Sequence, residues 1–188
     1  MKKLRWILLI LVAAFLLLWF GGAYAGMHFL LFQASSRTFE DPAEFDGSPV
    51  EPVTLTTQDG VAISAWHVKA GGDKAVALFH GIGPDRRQME GVARCYLELG
   101  DSVLLADLRR HGKSGYAPTM LGLSERYDVS ACMDYLKKQY AFVGAHGFSL
   151  GAASVAFALR DRDDFNFAVL SSCYDTGEHA LYDRLDIV

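Results

Sequence analysis

The sequence has few cysteines and few prolines, and this scarcity excludes several classes of protein. The 188 residues include three cysteines and five prolines. Cys95, Cys132 and Cys173 lack the spacing of zinc ligands and lie in apolar contexts, so we expect free, buried thiols. A disulfide between two of them is the alternative in an exported protein. The scattered prolines exclude collagen and a long proline-rich linker.

An excess of positive charge is also lacking. The formal net charge is −4 at pH 7, and the sequence has no basic run and no array of alternating basic and aromatic residues. These features exclude a general nucleic-acid binder. Charged residues make up 21% and hydrophobic residues 51% of the chain, which is the composition of a globular protein rather than a disordered one.

The N-terminal region lacks charge of either sign over a long stretch. No Asp, Glu, Lys or Arg lies between Trp6 and Ser36, whereas Lys2, Lys3 and Arg5 precede that stretch. About 20 apolar residues suffice for a helix to cross a bilayer, and cationic flanks stay in the cytoplasm. We therefore predict a single-pass signal-anchor helix, with the rest of the chain outside the cytoplasmic membrane.

The predicted anchor covers residues 1–32, and a cleaved signal peptide is the alternative. Ala23-Tyr24-Ala25 resembles a signal-peptidase site, and cleavage near Ala25 would release a secreted protein. The apolar stretch continues past that site to Phe32, which favours the uncleaved anchor. Both interpretations export the remaining residues.

The exported part divides into a short polar segment and one domain. Residues 33–52 are acidic and contain three of the prolines, so we interpret them as a stalk. Residues 53–188 form the predicted domain. It begins with two alternating segments on either side of Asp59-Gly60, a pattern typical of an antiparallel hairpin.

Four continuously apolar segments follow the hairpin, and helical patterns separate them. Strands of this kind are buried on both faces, as in parallel sheets. The pattern predicts an α/β fold with a mostly parallel sheet and right-handed crossovers. The predicted strands are residues 75–79, 103–106, 141–145 and 167–170, and the predicted helices cover residues 89–97, 129–136 and 150–159.

A candidate nucleophile lies between the third apolar strand and the helix after it. Gly147-Phe148-Ser149-Leu150-Gly151 matches the pattern G-x-S-x-G of a nucleophile elbow, a tight turn that raises the serine hydroxyl above the sheet. Glycines are needed on both sides because side chains there would collide across the turn. The start of the helix adds positive potential where an oxyanion would form.

A second motif follows the first apolar strand. In this topology the loop His80-Gly81-Ile82-Gly83 faces the elbow at the carboxyl ends of the strands. We assign the backbone N–H groups of Ile82 and Leu150 to an oxyanion hole. His80 is expected to brace the loop by hydrogen bonds rather than to act as the catalytic base.

A third motif, Asp107-Leu108-Arg109-Arg110-His111-Gly112-Lys113-Ser114-Gly115, follows the second apolar strand. Together, in this order and spacing, the three motifs resemble the α/β-hydrolase superfamily over roughly residues 53–175. With Arg86-Arg87-x-Met89 they look closest to membrane-anchored bacterial hydrolases of the serine aminopeptidase-like group. Two departures concern loop geometry: Arg110 and Pro84 stand where the family usually has glycine. Asp107, Arg109 and His111 are expected to be structural.

The resemblance implies a serine hydrolase that forms an acyl-enzyme on Ser149. The substrate would be a small molecule with an ester, thioester or amide bond, and no metal or organic cofactor is implied. An acyl transferase with another acceptor than water, and an inactive or binding protein of the same fold, are the alternatives. The particular substrate and the oligomeric state are not specified by the sequence.

The acid and the base of a catalytic triad are the missing parts. After Ser149 the only histidine is His179, and Asp175 lies just beyond a predicted strand. The family places both groups further along the chain than Val188, so we expect an incomplete part of a longer enzyme. A pair formed by Asp175 and His179 is the less favoured alternative. His146, beside the elbow, is expected to be packed away from it.

Overall fold

The computed structural model describes residues 2–32 and 39–174, in two compact units, Met1–Gln33 and Ala34–Val188. The first unit contains helix α1 (Lys2–Phe32). Within it, Arg5–Gly26 is long and apolar enough to cross a membrane, and none of it is buried inside the protein. A membrane anchor and a signal sequence share this property, so both interpretations of the N-terminus stand.

In the second unit, residues 39–174 are built on one sheet with seven described strands. The strands lie side by side in the order β1-β2-β3-β5-β4-β6-β7. The neighbouring pairs β1/β2, β2/β3 and β3/β5 are antiparallel. The remaining neighbours, β5/β4, β4/β6 and β6/β7, are parallel. The strands are β1 (Glu44–Phe45), β2 (Ser48–Thr56), β3 (Ala62–Val68), β4 (Lys74–Phe79), β5 (Ser102–Ala106), β6 (Phe142–Phe148) and β7 (Phe167–Ser171).

The parallel strands are covered by helices on both faces because their residues are apolar throughout. On β4, Ala75, Ala77 and Phe79 belong to one buried cluster, and Val76 and Leu78 belong to the other. The first cluster includes residues of α3 and α4, and the second includes residues of α2. These helices are α2 (Glu90–Glu98, after the 3-10 turn Arg86–Met89), α3 (Arg126–Lys137) and α4 (Leu150–Asp161). The predicted α/β fold is confirmed.

The domain begins earlier than the sequence analysis placed it. Residues 44–45 and 48–52, assigned to the stalk, are strand residues of β1 and β2. Pro49 lies opposite Glu44, and Pro52 lies opposite Trp66 in the ladder. A proline removes one ladder donor but is tolerated near a sheet edge. Two of the three prolines assigned to the stalk, Pro49 and Pro52, therefore lie within β2, next to the edge strand β1.

The cysteine prediction is partly wrong. All three thiols are free, but only Cys132 is buried, whereas Cys95 and Cys173 are exposed. Cys95 lies on the short helix α2, where it donates to the carbonyl oxygen of Gly91. Apolar neighbours in sequence did not predict burial here, because successive residues of a helix point in different directions.

A buried ion pair joins the segment after β5 to α3. The Arg109 guanidinium binds the buried carboxylate of Asp128 at 2.8 Å and the partly exposed carboxylate of Asp59 at 2.7 Å. Burial alone would lower the pKa of Arg109, but hydrogen bonds to Asp59 and Asp128 outweigh it and raise that pKa. The guanidinium therefore stays charged and ties the hairpin turn to α3, a structural role for Arg109.

The two carboxylates offer a matched test of this pair. Asp128→Asn should lower the free energy of unfolding by about 3–5 kcal/mol, because a buried guanidinium loses its buried counter-charge. Asp59→Asn should cost less than about 1 kcal/mol, because solvent replaces part of the lost interaction. Urea unfolding of the full chain in detergent micelles measures both. Equal losses would contradict the assignment of Asp128 as the main partner.

Candidate active site

The turn between β6 and α4 has the geometry of a nucleophile elbow. Ser149 lies between the last residue of β6 and the first residue of α4, with φ 51° and ψ −110°, a backbone conformation that residues with side chains rarely adopt. Its side chain is half-buried. Such strain persists only where the surroundings enforce it, and here the strand and the helix on either side do so.

Two glycines make the tight turn possible. A Cβ on Gly147 would overlap the backbone of Gly151, and a Cβ on Gly151 would overlap the carbonyl group of Phe79. Gly151 also donates its N–H to the carbonyl oxygen of His80 at 3.1 Å. Helix α4 therefore begins in direct contact with the end of β4, which holds the elbow against the neighbouring strand.

The loop after β4 lies beside Ser149. Because β4 and β6 are parallel and pair Phe79 with Gly147, their carboxyl ends meet at the same edge of the sheet. A Cβ placed on Gly81 would lie 3.4 Å from the Cβ of Ser149. The sequence-predicted oxyanion loop and the sequence-predicted nucleophile are thus adjacent.

The N–H groups of this loop are hydrogen-bonded on both sides of Ile82. Gly81 donates to Oε1 of Gln88 at 2.7 Å, and Gly83 donates to Nε2 of His111 at 3.2 Å. Among the described residues, the N–H of Ile82 has no hydrogen-bond partner. The same is true of Leu150, whereas its neighbour Gly151 is bonded. Within the described part, two backbone donors are therefore unused: that of Leu150, directly after Ser149, and that of Ile82, directly after Gly81, which lies beside Ser149.

His80 is part of the frame of this loop. Its ring accepts the N–H of Leu108 at Nε2 (3.1 Å), and Nδ1 donates to the carbonyl oxygen of Gly81 (2.7 Å). Complete burial, together with the nearby His111, lowers the pKa of His80 to about 4. The imidazole is neutral with both nitrogens occupied, so it braces the loop as expected and is not available as a base.

Asp107 organises the loops from the adjacent strand. Its carboxylate accepts the backbone N–H of Arg86 at 2.8 Å, the Arg86 guanidinium at 2.6 Å and the N–H of Lys113 at 2.8 Å. The guanidinium is fully buried, also binds Oγ of Ser64 and lies 5.1 Å from the Trp66 ring. Asp107 therefore has a structural role, as the sequence analysis expected.

The two departures from the family pattern are accommodated. Arg110 takes the left-handed conformation that glycine would favour, with φ 69°, and its guanidinium lies 4.5 Å from the Tyr116 ring. That conformation costs a non-glycine residue about 1 kcal/mol. Pro84 follows Gly83, which has φ 96°, by a trans peptide bond. The loops keep their positions with these residues present.

No histidine among residues 39–174 is placed to activate Ser149. His67 binds the hydroxyls of Tyr135 and Tyr140, and His146 binds those of Tyr96 and Ser171. His80 and His111 are engaged in the loops described above. Asp175 and His179 lie outside the described residues. Within the described part, no group of three or more His, Cys, Asp or Glu residues is arranged to hold a metal ion.

One contributor was missed by the sequence analysis. Gln88 lies on the 3-10 turn, seven residues after Gly81, and its side chain still reaches the Gly81 N–H. No motif marked it, because a single glutamine in a turn carries no pattern. The contact arises because Asp85 begins that turn, accepting the Arg87 N–H at 3.1 Å, and folds it back onto the loop.

Comparisons of the sequence with known proteins give distant relatives that cover part of the chain. No family model matches the chain. The uncharacterized protein YqkD of Bacillus subtilis is 30% identical over 99 residues, covering 50% of this chain and 32% of that protein. The uncharacterized protein Rv2307c of Mycobacterium tuberculosis is 34% identical over 108 residues, covering 54% of this chain and 38% of that protein. The chain thus spans about a third of the length of these relatives.

Solved structures give the fold. The Pyrococcus furiosus esterase Pf2001 in one crystal form is 29% identical with a TM-score of 0.68, covering 73% of this chain and 57% of that one. In another crystal form it is 26% identical with a TM-score of 0.71, covering 80% of this chain and 59% of that one. A hydrolase from Pseudomonas aeruginosa, 24% identical with a TM-score of 0.58, covers 72% of this chain and 51% of its own. The domain has the α/β-hydrolase fold.

The elbow geometry predicts a sharp difference between two glycines. Gly151→Ala should lower the free energy of unfolding by about 1–3 kcal/mol, because the new methyl group displaces α4 from Phe79. Gly91→Ala, at an exposed site on α2 with open space around it, should be neutral or stabilising by up to ~1 kcal/mol. Thermal unfolding compares the two, and a harmless Gly151→Ala would contradict the close contact.

Proposed function

We propose that the protein is a serine hydrolase that cleaves a small-molecule ester, thioester or amide through an acyl-enzyme on Ser149. One observation carries the proposal: the strained Ser149 is followed by Leu150 and lies beside Gly81, the residue before Ile82, and the backbone N–H groups of Ile82 and Leu150 have no partner among the described residues. Donors left unused next to a candidate nucleophile are what an oxyanion hole requires.

The proposed reaction uses these groups in a fixed order. Oγ of Ser149 attacks the acyl carbonyl carbon while its proton passes to a general base, and the carbonyl oxygen becomes an oxyanion. The N–H groups of Ile82 and Leu150 donate to that oxygen, and each such donor is worth roughly 10²–10³ in rate. The leaving group departs with the proton, and a water molecule then releases the acid from Ser149.

The proposal requires a base and an acid from outside the described residues. His67, His80, His111 and His146 each have both ring nitrogens engaged elsewhere. The same observation favours the second candidate, a non-catalytic binding protein of this fold. An acyl transferase would use the same nucleophile and oxyanion donors and differ only in the acceptor of the acyl group.

Esters are the favoured substrate class within this proposal. The solved structures most useful for comparison are described as esterases, and Est1E from Butyrivibrio proteoclasticus was solved with ferulic acid bound. Because the chain covers 57% of Pf2001, the reaction of the whole protein stays a proposal. The aminopeptidase-like type also stays a prediction, since none of the named neighbours is a peptidase.

A membrane location is proposed on separate grounds. Helix α1 contains the one apolar segment of the described residues that is long enough to span a bilayer. With Lys3 and Arg5 before or at its start, the positive-inside rule orients the following domain away from the cytoplasm. Secretion after cleavage near Ala25 is the alternative to an anchored protein.

The nucleophile is tested with a fluorescent alkyl phosphonate, which reacts covalently with activated serines. The native protein should be labelled once per chain, and Ser149→Ala should abolish labelling and hydrolysis of p-nitrophenyl acetate. Ser172→Ala is the matched control, because Ser172 also has a positive φ, of 52°, and is exposed one residue beyond β7. That variant should label like the native protein. Labelling that survives Ser149→Ala would refute the proposal.

An unlabelled native protein would favour the binding-protein alternative. To exclude misfolding as the cause, the thermal unfolding of the same preparation is measured alongside. Ser149→Ala should unfold within ~1 kcal/mol of the native protein, since the change leaves the elbow glycines in place.

Membrane topology is tested with alkaline phosphatase fused after residue 50. The reporter needs disulfides and is active only outside the cytoplasm, so the fusion should be active and remain in the membrane fraction. An active reporter in the soluble fraction would support cleavage near Ala25 instead. An inactive fusion, with activity from a cytoplasmic reporter at the same position, would contradict both interpretations.

A further inference from the structure

We propose that His111 is a pH-sensitive positioning residue that sets the direction of the Ile82 N–H by accepting the hydrogen bond of Gly83, and that protonation of its ring releases the loop. The inference rests on the proposed function, because it concerns the oxyanion donor of that reaction. His111, which lies two strands away from Ser149 in the sheet, would thereby influence the rate of the proposed reaction.

The hydrogen bonds of His111 define one tautomer. Nδ1 lies 2.9 Å from the carbonyl oxygen of Arg109, which only accepts, so Nδ1 carries the proton. Nε2 lies 3.2 Å from the N–H of Gly83, which only donates, so Nε2 is unprotonated. The ring is 1% exposed, and water therefore cannot replace either partner without a local rearrangement.

The hydrogen bond from Gly83 to His111 holds one end of the loop that carries Ile82. Gly83 is exposed and has φ 96°, a conformation without local helix or strand bonds to hold it. Ile82 lies between Gly81, which is fixed by Gln88, and Gly83, which is fixed by His111. Releasing Gly83 leaves the peptide before Ile82 fixed on one side only, and the N–H of Ile82 loses its single direction.

Protonation would break this bond directly. A proton on Nε2 converts it from an acceptor to a donor that faces another donor, the Gly83 N–H. The neutral ring of His80 lies 5.0 Å away and accepts the Leu108 N–H through its own Nε2, so a second protonation there would release a second bond of the same frame. Acidification therefore loosens the loop at two linked sites.

The burial of His111 and the charged groups around it determine the pH at which its ring is protonated. Burial lowers the pKa of His111, and Arg110 beside it acts in the same direction. The hydrogen bond to the Arg109 carbonyl oxygen raises that pKa, as do the carboxylates of Glu125, before α3, and Asp107, after the same strand. Burial prevails, so the ring is neutral at pH 7 and takes up its proton below the usual histidine pKa of about 6.5.

Nuclear magnetic resonance of the full chain in micelles tests the linkage without any catalysis. With ¹⁵N-labelled histidine, His111 should be the Nδ1–H tautomer at pH 7, and its titration below pH 6.5 should move the amide signal of Gly83 with the same midpoint. His146, which is bonded outside this loop, is the internal control, and its titration should leave Gly83 unchanged. An Nε2–H tautomer at His111, or a Gly83 signal that ignores its titration, would overturn the proposal.

Two variants then separate positioning from folding. His111→Gln keeps a side-chain acceptor that does not titrate, so the Gly83 signal should become independent of pH between 5 and 7, above the range in which His80, with a pKa of about 4, takes up its proton. His111→Phe removes the acceptor and should slow phosphonate labelling of Ser149 about tenfold at pH 7, with His111→Gln closer to the native rate. Labelling of His111→Phe at the native rate would overturn the positioning role while leaving the serine hydrolase intact.

The proposed function can fail independently. If the native protein is not labelled at all, the hydrolase proposal fails, whereas the coupled titration of His111 and Gly83 still decides whether the loop responds to protonation.

Discussion

The close approach of α4 to β4 is the constraint on which the site depends. Because Gly151 has no side chain, the start of α4 lies against the carbonyl group of Phe79 and donates its N–H to His80. That contact forces the strand to turn sharply into the helix, and Ser149 takes the strained φ of 51° as a result. It also brings the loop after β4 beside the nucleophile. A side chain at position 151 would therefore push α4 away from β4 and, with it, Ser149 away from the loop after β4.

The polar residues around the elbow serve mainly to satisfy the loop backbone. His80, Gln88 and His111 each bond a backbone group of the loop that carries Ile82, while Asp107 accepts the N–H of Arg86, the first residue of the 3-10 turn. Buried backbone groups are expensive to leave unpaired. Two N–H groups, those of Ile82 and Leu150, therefore stand out because they have no partner among residues 39–174, and each belongs to a residue next to Ser149 or to its neighbour Gly81. The proposals of an acyl-enzyme and of a pH-sensitive loop both follow from that pattern.

Much of this arrangement could be predicted from the sequence, and the failures have physical causes. The buried strands and the elbow were predictable because apolar runs and glycine spacing report local requirements. The first five residues of β2, 48–52, were assigned to a stalk, since their prolines resemble breakers until the pairing of Pro52 with Trp66 is known. Cys95 was placed in the core, although the face it occupies on α2 is exposed. Gln88 carried no signal, because its role depends on how one turn folds back.

The sequence by itself determined the α/β order of elements, the position of Ser149 between β6 and α4, and the apolar N-terminal segment. These follow from the periodicity of side chains and from the conformations that glycine alone permits. Only the tertiary structure decided which histidines are occupied. His67 and His146 bind tyrosine hydroxyls that lie 50 to 73 residues away in the chain, and His111 binds the loop after another strand. Hydrogen bonds between distant segments depend on how strands and helices pack, and no local pattern encodes that.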